Sequence, residues 1–137
     1  MPRRSPGEIR AQLPYRINYG SRTVIRSLSA SANRQIRDFE RNNALYPGEI
    51  ARAFGVWSCM PRRSSEEVIY GHGNGTTAWR DMHCRTLLEA AIGSMRTKAR
   101  RELSSLIEPL DALHIARTAN DFLAPADLPW WRCRIWI

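Results

Sequence analysis

The sequence predicts a mainly α-helical small domain with a minor two-stranded β element, and three observations predict it. The chain has 137 residues, the size of a single hydrophobic core. Its content of 43% hydrophobic and 25% charged residues is ordinary globular usage, which argues against a wholly disordered chain. Apolar residues recur at intervals of three and four within residues 21–54 and 77–115, whereas strict alternation is confined to one short run. The single domain, 1–137, divides into a basic arm or edge strand at 1–20, a basic helical region at 21–65 and a Gly-rich connector at 66–76. A helical pair at 77–120 and a Pro- and Trp-rich docking tail at 121–137 complete it.

Pro2, Pro6 and Gly7 stand among charges at the start of the chain and predict a loose arm. Leu13, Tyr15, Ile17 and Tyr19 alternate with Pro14, Arg16 and Asn18, which is the pattern of an edge strand. Ser21 is suited to cap a helix reaching Arg41, with Ile25, Leu28, Ala32, Ile36 and Phe39 as its apolar stripe. A short helix from Gly48 to Phe54 should close at Gly55. A loop at 61–65 and a short strand at Val68–Tyr70 follow.

Thr76 or Thr77 caps the next helix, which runs to about Ile92 and lines up Cys84, Leu87, Leu88, Ala91 and Met95. From Thr97 a further helix places Ala99, Leu103, Leu106 and Leu110 at near-heptad spacing, and the two should pack as an antiparallel pair. Pro109 has no N–H to donate and its ring crowds the carbonyl four residues back, so a kink or a fresh helix is expected there. Leu113 and Ile115 continue the apolar pattern to Asn120, and Pro125 and Pro129 then predict an irregular tail. Trp130, Trp131, Ile135, Trp136 and Ile137 carry too much apolar area to leave in water, so the tail should dock, on its own body in preference to a partner.

The formal charge of +8 is concentrated in the first half, where residues 1–65 hold twelve Arg against Glu8, Asp38, Glu40 and Glu49. Residues 66–137 balance nine bases with nine acids. Such a half attracts polyanions, although the use of Lys only at Lys98 is also what GC-rich coding would give. On the expected first helix Arg22, Arg26, Arg34, Arg37 and Arg41 fall opposite the apolar stripe, as phosphate contacts or as a plain solvated face.

The run Glu49, Ile50, Ala51, Arg52, Ala53, Phe54, Gly55, Val56 resembles the first helix and turn of a bacterial helix-turn-helix DNA-binding motif. The resemblance covers residues 49–56. It implies that Ile50 and Phe54 face a core, that Gly55 makes the turn, and that a second helix reads the major groove. Arg62 and Arg63 are then the base-contacting candidates. The second half departs from the pattern: Trp57 stands where a small capping residue is usual, and Pro61 occupies an expected core position.

Other chemistries find less support. Gly71, Gly73 and Gly75 lead into a helix but no Lys follows, so this is not a Walker-type phosphate loop. Cys59, His72, His83 and Cys84 lack the paired clips of a zinc site, and no metal or other cofactor is expected. His72, His83, His114, Asp81 and Asp111 are tied together by no nucleophile motif, so an enzyme is not expected. Three scattered Cys, no apolar run of membrane-spanning length and no signal segment predict a cytoplasmic protein without membrane association.

The expected function is nucleic-acid binding, DNA first, through the Arg-rich region. The alternative is a protein-interaction module in which that face meets an acidic protein partner and the Trp-rich tail contributes to an interface. A homodimer is left open.

Overall fold

The computed structural model describes residues 23–62 and 77–137. Its architecture is mainly α. The helices are α1 (Ala30–Asn42), α2 (Glu49–Cys59), α3 (Thr77–Ser94) and α4 (Thr97–Ala116), followed by a two-stranded sheet of β1 (Thr118–Asn120) and β2 (Arg134–Trp136).

Helix α1 begins at Ala30 rather than near Ser21 because the capping is done by Ser29, whose hydroxyl accepts the Ala32 N–H at 3.1 Å. Ahead of it, Asn33 reaches back, accepting the Ile25 N–H at 2.9 Å and donating to the Ile25 carbonyl at 3.0 Å. These bonds occupy the backbone in a turn instead of a helix. Ile25 and Leu28 are still buried, so their spacing is met by the turn. The five-Arg helical face is corrected accordingly: Arg26 is exposed on the turn, and Arg22 lies outside the described residues.

Helix α2 starts at Gly48, whose φ of 92° suits glycine. The Glu40 carboxylate, buried on α1, accepts the Ile50 N–H at 3.0 Å and so satisfies one of the free donors at this helix start. The helix then runs through Gly55 to Cys59 and tightens into a 3-10 turn at Met60–Arg62. The turn implied at Gly55 is therefore not formed. Trp57, Met60 and Pro61 are buried core residues instead of a second helix's first turn, and residues 63–76 lie outside the described residues. The expected strand at 68–70, the glycine connector, His72 and Arg63 fall there, as the alternating segment 13–19 falls in the undescribed start.

A methyl group added at Gly55 would meet nothing within 4 Å. Gly55→Ala is thus expected to stabilise the protein by about 0.5–1 kcal/mol, the helix-interior gain of alanine over glycine. A loss in urea denaturation would instead indicate a backbone turn that alanine cannot adopt.

Helix α4 passes through Pro109 as one element. Pro109 and Ser105 are both exposed, so the carbonyl deprived of its partner lies on the solvent-facing side, where water can replace the bond. The pairing also differs from expectation. Helix α3 packs chiefly on α2 and α4 chiefly on α1 among the helices, while α3 and α4 share a smaller contact beyond their Met95–Arg96 elbow. The core between them is built by Ile36, Ile50, Trp57, Leu88, Leu103 and Ile107.

The tail folds back on this body. Antiparallel β1 and β2 pair Thr118 with Trp136 and Asn120 with Arg134. Trp131 and Trp136 are buried, and the Trp131 indole donates to Thr86 Oγ1 at 3.0 Å. The minor β element thus lies in the C-terminal segment, where a helix end and an irregular tail were expected. Among the described residues no helix is long and apolar enough to cross a membrane.

Candidate nucleic-acid interface

Helical spacing carries three of the predicted arginines to one place. Arg34, Arg37 and Arg41, at relative positions i, i+3 and i+7 of α1, form an exposed stripe opposite the buried Ala32 and Ile36. Two nearby acids do little to neutralise them. Glu40 is committed to the start of α2, and Asp38 reaches Arg41 only at 3.9 Å with both side chains largely exposed, a pair worth little in water. Among the described residues, no ion pair or hydrogen bond engages the guanidinium groups of Arg34 and Arg37.

The stripe borders an open groove of about 420 Å³ between α1 and the α3–α4 elbow. Ser31, Arg34, Gln35, Asp38, Phe39 and Asn42 line one side, and Ser94 and Arg96 the other. The Arg96 N–H donates to Gln35 Oε1 at 2.8 Å and ties the two sides together. Arg100 bonds the Ile92 carbonyl at 3.2 Å, which braces the elbow. Arg96 is not among the contacts expected from the sequence, because residues 66–137 are charge-balanced and only the fold brings it opposite α1.

Arg62 is exposed but does not join the stripe. Its 3-10 turn is held by Arg117, whose guanidinium donates to the Pro61 carbonyl at 2.6 Å. The start of α1 is instead tied to Glu102, through Ser29 Oγ at 2.9 Å. Glu102 and Arg117 are fifteen residues apart on and just beyond α4, roughly 22 Å at the helical rise. Arg62 thus sits on a turn anchored to the far end of α4 from the residue that holds the start of α1.

The remaining polar groups build a second, interior cluster. Arg85 is buried and forms a two-bond pair with Asp111, Nε to Oδ1 and Nη2 to Oδ2, each at 3.0 Å. Its Nη1 reaches Glu89 at 2.8 Å, and its guanidinium carbon lies 4.4 Å from the centre of the Trp131 ring. Burial opposes the Arg85 charge, but the hydrogen bonds and charges of Asp111 and Glu89 outweigh it and raise its pKa.

Trp57 donates to the same Asp111 oxygen at 3.0 Å and stacks on His114 at 3.4 Å between ring centres. His114 Nε2 is 3.0 Å from the Trp57 carbonyl and, as a neutral donor, satisfies it. Desolvation, helped by the Arg85 charge, lowers the His114 pKa to about 4. The ring is therefore neutral at ordinary pH. The space left around Trp57, His114, Trp130 and Trp136 is about 10 Å³, which leaves no room for a substrate. This cluster is a structural hub, and its sequence signal was an arginine between Cys84 and Leu88 on an apolar helix face.

Among the described residues no three His, Cys, Asp or Glu side chains gather as a metal site, and Cys59, Cys84 and Cys133 are unbridged. Fold and site together define a small helical domain with a basic helix face beside a polar groove. Comparison with protein-family models, curated proteins and solved structures finds no match to this chain.

Proposed function

We propose that the protein binds nucleic acid through its phosphates, using the Arg34, Arg37 and Arg41 stripe with Arg96 across the groove. The observation that carries this reading is a row of three exposed guanidinium groups, of which only Arg41 meets a carboxylate among the described residues, and that one in an exposed 3.9 Å pair, on a chain of net charge +8. Phosphate contact needs no enzyme chemistry, cofactor or membrane, and it fits a cytoplasmic protein. DNA reading through a helix-turn-helix receives no support from α2, which continues where the turn should fall.

A labelled oligonucleotide titrated across a salt series tests the proposal. Three or four phosphate contacts predict a log–log dependence of affinity on salt with a slope of about −3. Absence of binding at low salt overturns it.

A second reading, the protein-interaction module, is favoured by a separate observation. Phe122 and Leu123 are 94% and 95% exposed at the start of the β1–β2 connection, held by a turn in which Asp121 Oδ1 accepts the Leu123 N–H at 3.0 Å. With the Trp residues folded inward, these two side chains are the tail's outward apolar groups along with Ile135 and Ile137. An acidic protein would meet the same arginine stripe as nucleic acid.

A further inference from the structure

At roughly 100° per helical residue, Arg34, Arg37 and Arg41 occupy an arc of roughly 60° on α1. Asp38, Ser31, Asn42, Gln35 and Phe39 take up the adjoining arc of roughly 100° and form the groove wall. Cations thus run along one edge of the helix while amides, a carboxylate and an aromatic ring sit beside them. We propose that this groove takes an unpaired base of single-stranded nucleic acid whose phosphates run along the arginine stripe. The inference rests on the phosphate-binding reading and adds the form of nucleic acid.

The chemistry of the lining separates phosphate from base. Asp38 repels a phosphate inside the groove but can accept a hydrogen bond from a base amino group, as carboxylates do from cytosine. The Asn42 side chain is exposed and makes no hydrogen bond among the described residues, so its amide is available to a base edge. Phe39 is half-buried and offers a ring for stacking, the sequence-tolerant way in which single strands are held. Arg34 and Arg96 flank the opening from opposite sides, where the phosphates on either side of an inserted base would lie. The volume of about 420 Å³ is in the range of sites for small organic groups. Bases within a duplex are paired and stacked, and entering the groove would require flipping them out.

The test uses the full chain with a fluorescein-labelled single strand and the duplex of the same sequence and length, followed by anisotropy at low salt. The single strand should bind about tenfold more tightly than the duplex, and Phe39→Leu, which keeps an apolar side chain against the core, should remove most of that preference. Circular dichroism melting of Phe39→Leu confirms that the fold is retained. The exposed Asn42→Ala variant, which does not touch the core, should weaken the single strand alone. Equal binding of both forms, or a preference for duplex, overturns the groove inference while leaving phosphate binding in place; binding of neither removes both.

Discussion

Replacing Asp111 with alanine is expected to destabilise the fold by about 3–5 kcal/mol, the usual cost of leaving a buried charge without its partner. Asp111 accepts from Arg85 on α3 through two bonds and from the Trp57 indole on α2, so one carboxylate on α4 joins three helices. The substitution strands a guanidinium whose side chain is only 7% exposed and leaves a buried indole N–H unpaired. Glu89 cannot compensate, since its 52% exposed carboxylate reaches Arg85 from the solvent side. Domains of this size hold only about 5–15 kcal/mol in all, so a large share of the stability should go.

Urea denaturation of Asp111→Ala, and of the same change combined with Arg85→Met, checks the cause. If the stranded charge dominates, removing it as well should recover much of the loss, because an apolar side chain of similar length suits the site. A loss below about 1 kcal/mol for the single change would put this pair in the class of surface ion pairs and remove it as the hub.

The largest functional effect should come from Arg34→Ala, Arg37→Ala and Arg41→Ala combined, with affinity for oligonucleotide falling about a hundredfold at low salt as three phosphate contacts are lost. All three side chains are exposed on a helix, where alanine is at least as good a helix former, so stability should stay within about 0.5 kcal/mol of the parent. The same changes at Arg85, Arg117 and Arg134 would not be comparable. Those guanidiniums hold Asp111, the Pro61 carbonyl and Thr118 respectively, so removing them would confuse loss of binding with loss of fold.

The contrast between these two groups of arginines marks how far the sequence could be read. The helix wheel placed Arg34, Arg37 and Arg41 together because helical periodicity holds from Ala30 onward. It misplaced Arg26, since Ile25 and Leu28 keep helical spacing while sitting in a turn that Asn33 closes from eight residues away. Leu88, Ala91, Ala99 and Leu103 lie on α3 and α4, whose apolar patterns are long enough to be decisive, although Ile107 takes the core position that the spacing assigns to Leu106 and Leu110. Three-residue strands carry too few positions for alternation to be seen, so β1 and β2 were missed.

Gly55 is expected to end a helix and Pro109 to kink one or start another, yet α2 and α4 each run on through these residues as single elements. Tertiary packing of Ile50, Ala53 and Trp57 carries α2 through the first, and a solvent-facing position tolerates the second. Arg96 and the groove could not be read at all. Nothing local links residue 96 to Gln35, and only the docking of the elbow on α1 brings them together.

The salt slope of oligonucleotide binding, measured side by side for the parent and the triple α1 variant, tests most directly whether this stripe is where phosphate is held. The slope should fall from about −3 to about −1, leaving Arg96 as the main remaining contact. A variant that keeps both the parent's slope and its affinity would contradict the assignment and place the phosphates elsewhere on the molecule.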